Sequence, residues 1–314
     1  MAKTPIITLD LNFQGRKQAI AAYGIPHADG ILLVECGPGS TLPGLRAALA
    51  EHGYSLRDVT HVLATHIHLD HAGAAGYLAQ EGALVFVHPV GAPHLLDPGK
   101  LLSSATRIYG ERMDTLWGGF LPVPEGSLRV AQDAEEIVVG GVRILPIHTP
   151  GHAEHHVAYL FEDVCFSGDV GGVRMPGYPY LRAPMPPPEL HLERWRETIA
   201  RLRGLRFKRI APTHFGVFDD ADWHLAEVDK NLAEASRWLE EVMPGGHAIE
   251  DLRRMFAEWM DAQGRAMGLS AEVAEAFDLA NPLGMSADGL FRYWNKVRMA
   301  PSNDRAEKQR GRQG

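Results

Sequence analysis

Short apolar runs alternate with helical patterns over the first two thirds of the chain. A strand is predicted at residues 31–35, followed by a helix that buries Leu45 and Leu49, and then by a strand at residues 62–65. Further strands are predicted at residues 84–88, 142–147, 157–161, 164–167 and 209–212, most of them short and bounded by Gly or Pro. This alternation predicts an α/β fold built from layers of sheet and helix.

From Ala221 onwards the pattern becomes purely helical. The apolar positions Leu225, Val228, Leu232, Ala235, Leu239 and Val242 are spaced three and four apart and form one stripe. The sequence Pro-Gly-Gly at residues 244–246 ends this helix. Further helices are predicted around residues 252–260, 271–280 and 287–297. We therefore expect a main domain over residues 1–220, a helical region over 221–300 and a disordered polar tail at 301–314.

Two segments lack a regular pattern. Residues 99–127 are predicted to form a helix and a loop that cross the surface. Residues 171–188 contain six prolines and two tyrosines, so they cannot form a regular helix or a central strand. Long irregular segments of this kind are often lids or binding loops.

Composition and charge narrow the class of protein. A chain of 314 residues with 45% hydrophobic content can bury a sizeable core. A net charge of -8 predicts an acidic surface that repels nucleic acid and anionic membranes, so a small-molecule substrate is expected. Cys36 and Cys165 lie in apolar stretches and are expected to be buried free thiols. Without an apolar run typical of a signal or a membrane span, a soluble cytoplasmic protein is the default expectation.

The most informative segment is residues 65–73, directly after the strand at 62–65. Within six positions it carries His66, His68, Asp70 and His71. Imidazole and carboxylate together suit zinc and its neighbours in the first transition row. Alternation along extended backbone puts His66 and His68 on one side, where they can chelate one ion. Asp70 and His71 follow the turn and can face a second ion.

Three further candidate ligands each follow a predicted strand: His152, Asp169 and His214. Loops at strand ends are where α/β folds gather their chemistry. Gly151 and Gly168 immediately precede two of them and let the backbone turn sharply and approach an ion closely.

These residues resemble the metallo-β-lactamase superfamily, whose H-x-H-x-D-H signature stands here at residues 66–71. The resemblance covers residues 31–218 and implies a four-layer αββα sandwich as the catalytic domain. It also implies His66, His68 and His152 on a first metal, Asp70, His71 and His214 on a second, and Asp169 bridging them. The implied nucleophile is a hydroxide shared by the two divalent ions, with zinc expected first and iron or manganese as alternatives.

Asp70 is the expected catalytic residue, because it is bound to the second ion near the nucleophile. It would orient the water and pass its proton to the leaving group. His155 and His156 start the next strand, and at most one of them is expected beside the metals. His61, His88, His94 and His224 are expected to be structural.

The motifs are compatible with several branches of the superfamily, which act on different substrates. Asp169 is followed by Val-Gly-Gly, whereas glyoxalase II proteins usually have Thr-Leu-Phe there. Quorum-quenching lactonases usually place a Tyr shortly after the bridging Asp, and the nearest here are Tyr178 and Tyr180. Residues 35–37 read Glu-Cys-Gly where Asp, a small residue and Gly are usual, a departure expected to affect only bonding around the ligands. Ribonuclease Z-type nucleases and single-iron persulfide dioxygenases share these ligands and are alternatives. A non-catalytic metal-binding protein is expected to lack some of the ligands, whereas all seven positions are filled here.

An ester, lactone or thioester with a modestly hydrophobic group is the expected substrate. The two irregular segments, together with the C-terminal helices, are expected to wall the metal cleft. The aromatic residues they would offer to substrate are Tyr109, Trp117, Phe120, Tyr178 and Tyr180. The alternative is that these rings only pack helices against the core. The C-terminal helices are also a possible homodimer surface.

Overall fold

The computed structural model describes residues 4–299, so the predicted disordered tail at 301–314 lies outside the described residues. The strands are β1 (Ile7–Asp10), β2 (Ala21–His27), β3 (Gly30–Val34), β4 (Val59–Leu63), β5 (Leu84–Val87), β6 (Leu128–Val130), β7 (Ile137–Val139), β8 (Val142–His148), β9 (Val157–Phe161), β10 (Val164–Phe166) and β11 (Arg209–Ala211). The helices are α1 (Leu42–Glu51), α2 (Leu69–Ala72), α3 (Ala75–Gln80), α4 (Ala92–Leu96), α5 (Gly99–Tyr109), α6 (Met113–Trp117), α7 (Leu192–Arg203), α8 (Ala221–Val242), α9 (Ile249–Ala266), α10 (Ala271–Ala280) and α11 (Leu283–Tyr293).

The strands form two mixed sheets. The first has the order β1-β2-β3-β4-β5-β6, with β3 to β6 parallel to one another. The second has the order β11-β10-β9-β8-β7, antiparallel except for the parallel pair β10 and β11. Since β8 and β10 both run antiparallel to β9, the strands β8, β10 and β11 end at the same edge of the second sheet.

Three apolar layers hold the sheets and helices together. Leu45 of α1 and Leu78 of α3 pack on the outer face of the first sheet. Between the sheets lie side chains such as Tyr23 and Phe166, whose ring centroids are 5.2 Å apart. On the outer face of the second sheet, the fully buried Trp195 of α7 lies in one core with α8, α9 and α11. The result is the expected αββα sandwich with a helical C-terminal region.

The helical region starts at Ala221, as the apolar stripe predicts, and α10 matches its predicted bounds. Leu252 of α9 and Leu290 of α11 belong to the same continuous core as Trp195, so these helices have no separate core. The boundary at residue 220 therefore stays a prediction.

Some elements were not predicted. Strand β2 has the sequence AAYGIPH and is buried over its first five residues, so it shows neither the alternation nor the β-branched run that marks a strand. The helix predicted at residues 287–297 begins instead at Leu283 and ends in one π-helical turn, Trp294–Arg298. Cys36 and Cys165 are buried free thiols, as expected. No helix within residues 4–299 has the length and apolar character needed to cross a bilayer.

Candidate metal centre

The seven predicted ligands converge at the ends of four strands. His66 and His68 follow β4 of the first sheet, and His152, Asp169 and His214 follow β8, β10 and β11 of the second. The two sheets are joined at this edge by a hydrogen bond of 2.7 Å from the Val157 N–H to the Thr65 carbonyl oxygen. Asp70 and His71 sit on the short helix α2, which begins directly after His68.

Three imidazole nitrogens form a first group. The Nδ1 atom of His68 lies 2.9 Å from Nε2 of His66 and 3.1 Å from Nε2 of His152. These three atoms all lie within 4.8 Å of one another. His66 and His152 are buried, whereas His68 is partly exposed, so this group opens to solvent on the His68 side.

Asp70, His71 and His214 form a second group. Oδ2 of Asp70 lies 3.5 Å from Nε2 of His71 and 3.6 Å from Nε2 of His214. Asp169 lies between the groups: its Oδ1 is 3.4 Å from His71 Nε2 and its Oδ2 is 3.3 Å from His152 Nε2. The two oxygens of Asp169 thus face different groups, which is the geometry a bridging carboxylate needs.

The distances and the unpaired atoms fit metal ions. Two ligands that are each about 2.0–2.1 Å from a tetrahedral zinc ion lie roughly 3.3 Å apart, close to the separations seen here. Nε2 of His71, Nε2 of His214 and Oδ1 of Asp169 are buried without a hydrogen-bond partner within residues 4–299. Buried polar atoms normally have partners, so these atoms are arranged for a ligand between them.

The opposite nitrogen of three ligand rings is held by a hydrogen bond, which orients the ring. Nδ1 of His152 donates to the Pro184 carbonyl oxygen at 2.9 Å, and Nδ1 of His214 donates to the Ala19 carbonyl oxygen at 2.7 Å. Nδ1 of His71 contacts Oε1 of Glu35 at 2.9 Å. Since a neutral ring carries one proton, these bonds leave each Nε2 lone pair free for a metal.

Glu35 forms hydrogen bonds with several residues of the site. This role was not predicted from the sequence. Its carboxylate is only 1% exposed. Besides His71 it accepts hydrogen bonds from Oγ1 of Thr65 at 2.5 Å and from Oγ1 of Thr213 at 2.8 Å. Thr65 and Thr213 each precede a predicted ligand, so one buried carboxylate fixes the ends of two strands. The only signal in the sequence was the Glu at the start of the unusual Glu-Cys-Gly motif.

Charge and burial together shift the pKa values of the candidate ligands. Burial lowers the pKa of His68 to about 4, with His152 adding to the effect. Burial alone would lower the pKa of His71, but the carboxylates of Asp70, Asp169 and Glu35 raise it well above its usual value. Burial opposes ionisation of Asp70, yet His71 and His214 hold its pKa well below the usual range. His68 is thus neutral and Asp70 ionised, the states in which these groups bind cations, whereas His71 would give up a proton to a metal ion that binds there.

Both predicted glycine turns are required by the packing. Gly151 has φ of +138°, and a Cβ there would lie 2.3 Å from the Cα of Trp195. Gly168 has φ of +51°, and a Cβ there would lie 2.6 Å from Oγ1 of Thr65. A side chain at either position would displace the neighbouring His152 or Asp169.

Four further histidines can be compared with expectation. Both His155 and His156 lie beside the ligands, where at most one was expected. The His156 ring stacks on His66 with centroids 4.9 Å apart, and the His155 ring meets His68 edge-on at 5.6 Å. His94 lines the cavity over the metal groups, and its expected structural role stays a prediction. His224 is structural as expected, its Nε2 lying 2.6 Å from the Gly171 carbonyl oxygen.

A cavity of about 710 Å³ lies over the two groups, and His68, Asp70, His152, Asp169 and His214 reach its surface. Residues 99–117 and 278–288 supply much of its wall. We call residues 99–117 together with α10 and α11 the roof. Of the five predicted aromatic contacts, Tyr109 and Trp117 line the cavity.

The other three aromatics lie outside that lining. Phe120 packs against the first-sheet core. The Tyr180 ring meets Phe277 edge-on at 5.1 Å, and its hydroxyl accepts a hydrogen bond from Nε of Arg182 at 3.2 Å. Tyr178 packs against the same cluster. The proline-rich segment thus turns its tyrosines towards α10, because Phe277 and Arg182 offer them a buried contact.

Comparison with known proteins identifies one family. The family model of the Metallo-beta-lactamase superfamily matches residues 19–214, a span that contains all seven candidate ligands. The crystal structure of metallo-beta-lactamase family protein TTHA1429 from Thermus thermophilus is similar with a TM-score of 0.62 and 20% identity, over 93% of both chains.

Some of the relatives carry named activities. The chain is 24% identical to the atrochrysone carboxyl ACP thioesterase of Aspergillus fumigatus over 94% of this chain and 78% of that protein. It is 34% identical to a hydroxyacylglutathione hydrolase of Rhodopseudomonas palustris over 39% of this chain and 37% of that protein. The first similarity extends through the C-terminal helices, whereas the second is confined to a part of each chain.

Proposed function

This chain belongs to the metallo-β-lactamase superfamily and is a metallo-hydrolase, and we propose that it uses two divalent metal ions to cleave an ester, a lactone or a thioester. The observation that carries the proposal is the convergence of seven donor side chains into two groups that share Asp169. His66, His68 and His152 would hold one ion, and Asp70, His71 and His214 the other. Zinc is the first choice for this donor set, with iron and manganese as alternatives.

Bound there, the ions would supply an activated water at neutral pH and polarise the carbonyl oxygen of the substrate. Asp70 is suited to handle the proton of that water. It is the partly exposed carboxylate of the site, its side chain is 20% exposed, and it reaches the cavity. We assign to Asp70 the orientation of the water and the transfer of its proton to the leaving oxygen or sulfur.

The cavity supports a substrate with a sizeable apolar group. Its volume of about 710 Å³ is in the range of small-molecule sites. Leu101, Ile108, Leu116 and Leu279 are among its apolar lining residues. A thioester fits this cavity and agrees with the named activity of the relative that matches over most of this chain. A small-molecule substrate remains our proposal, and the acidic net charge of -8 argues against nucleic acid.

The experiment is a substrate panel on zinc-loaded and manganese-loaded protein. The panel contains S-octanoyl N-acetylcysteamine, p-nitrophenyl octanoate, acyl-homoserine lactones, S-lactoylglutathione and a phosphodiester. Turnover of the thioester, ester or lactone is expected, and activity on the phosphodiester alone would contradict the proposal.

The role of Asp70 is tested by Asp70→Asn. The variant should fold and should lose at least about 100-fold in kcat, because the amide cannot carry the proton. Metal content by elemental analysis must accompany the rate. Near wild-type turnover at full metal content would remove the assigned role.

A further inference from the structure

The roof presents Tyr109 to the cavity that also contains the metal ligands. On α5, Leu101, Ala105 and Tyr109 follow one another at intervals of four residues, and Ser104 and Ile108 form the neighbouring row. Both rows line the cavity, so this face of α5 faces the space that the metal ligands also reach. Tyr109 stands at the last turn of the helix.

The Tyr109 ring is held in place by two other aromatic rings. It meets Trp117 edge-on, with ring centroids 5.0 Å apart and an interplanar angle of 72°. Trp117 in turn stacks on Phe13 at 5.7 Å and 18°. Edge-to-face and stacked contacts of this kind restrict rotation of the rings. The position of the phenol oxygen is therefore set before any ligand binds, which is what catalysis requires of a donor group.

The Tyr109 hydroxyl has no strong acceptor among residues 4–299. Its one hydrogen-bond partner there is the sulfur of Met285 on α11, at 3.5 Å. A thioether is a weak acceptor, so this partly buried hydroxyl keeps its capacity to donate to an oxygen or nitrogen atom. The donor is thus available to a molecule that enters the cavity.

Electrostatics keeps that hydroxyl protonated. Burial is the main cause that raises the pKa of Tyr109, and the negative charge of Asp70 raises it further, while Arg112 acts in the opposite direction. Tyr109 and Asp70 line the same cavity.

We propose that Tyr109 is a catalytic residue that donates a hydrogen bond from its phenol to the carbonyl oxygen of the scissile ester, lactone or thioester. This inference rests on the proposed hydrolase function. The water oxygen forms a bond to the carbonyl carbon, and the π electron pair moves onto the carbonyl oxygen, where Tyr109 stabilises the charge. When the pair returns, the bond to the leaving oxygen or sulfur breaks, and the proton lost by the water passes through Asp70 to that atom. Tyr109 keeps its own proton throughout.

The first test is Tyr109→Phe in the metal-loaded protein, measured with p-nitrophenyl octanoate and S-octanoyl N-acetylcysteamine. We expect kcat to fall about 10- to 100-fold and KM to change less than about threefold, because the bond is strongest when charge develops. The matched control is Tyr54→Phe, whose ring packs against the first-sheet core and whose kcat should stay within about twofold of wild type.

A structural role through Met285 is separated by a double-mutant cycle. If the substrate is the acceptor, Tyr109→Phe lowers kcat by the same factor in the wild-type and the Met285→Leu backgrounds. If the effect disappears in the Met285→Leu background, the contact between the helices was the function and the proposal is wrong.

A binding measurement on metal-free protein gives a readout that does not depend on turnover. Octanamide is a neutral, unreactive probe whose carbonyl accepts a hydrogen bond. Its titration should produce a tyrosine near-ultraviolet difference signal that Tyr109→Phe removes, with affinity lowered about two- to tenfold. An equal signal and affinity in both proteins would overturn the inference. Wild-type protein that cleaves none of the esters, lactones or thioesters would instead overturn the proposed function.

Discussion

Replacing Glu35 by Gln tests how the buried carboxylate organises the metal centre. Oε1 of Glu35 accepts from Thr65 Oγ1, Thr213 Oγ1 and His71 Nδ1, while Oε2 lies 3.3 Å from the backbone nitrogen of Thr65. If the amide oxygen of Gln takes the place of Oε1, its NH₂ group faces the Thr65 N–H, donor against donor. One buried N–H then loses its acceptor, which costs about 1–3 kcal/mol.

That loss of stability predicts a measurable decrease in melting temperature. For a chain of 314 residues the entropy of unfolding is about 0.65 kcal/mol per kelvin. The metal-free Glu35→Gln protein should therefore melt about 1.5–5 °C below wild type. The bond to His71 also loses its charge, so the ring is held less firmly and becomes a weaker ligand. We expect zinc affinity to fall about 10- to 100-fold, the usual effect of losing an outer hydrogen bond to a ligand histidine.

The assays are thermal unfolding of metal-free protein and zinc competition against a chromophoric chelator. Glu51→Gln at the exposed end of α1 is the matched control and should change neither quantity. If Glu35→Gln melts within about one degree of wild type and binds zinc equally well, the carboxylate charge does not orient His71, and this reasoning fails.

Three other outcomes are expected. Removal of metal with a chelator should lower the melting temperature by at least about 6 °C when zinc was present at 1,000 times its Kd, and an unchanged melting temperature would contradict the metal assignment. Gly151→Ala should abolish soluble folded protein or lower its stability by more than about 2 kcal/mol, because the added Cβ meets Trp195 backbone atoms; Gly126→Ala, where nothing lies within 4 Å, is the control. Asp278→Asn should lower the free energy of unfolding in urea more than Arg182→Met does. The Asp278→Asn variant keeps the fully buried guanidinium of Arg182 but removes its ion-pair partner, and a larger loss in Arg182→Met would contradict this.

Features that depend on neighbouring residues could be predicted from the sequence. Short apolar runs gave three of the six strands of the first sheet and four of the five strands of the second within residues 4–299. The three-four spacing after Ala221 located the start of α8. The four ligand types within residues 66–71 predicted a metal site because alternation and one turn suffice to bring them together. His152, Asp169 and His214 could be added because each follows a strand whose end had already been recognised.

Features that depend on contacts between distant segments required the tertiary structure. Tyr109 and Met285 are 176 residues apart in the chain and meet only because α5 and α11 close over the same cavity. Tyr180 and Tyr109 were both predicted to contact substrate, but the Tyr180 ring packs against Phe277 and lies outside the cavity lining. Glu35 became the centre of the hydrogen bonds only when three strand ends met around it. Local pattern thus determined the candidate ligands, whereas the surroundings of those ligands were decided by which faces the helices and loops bury.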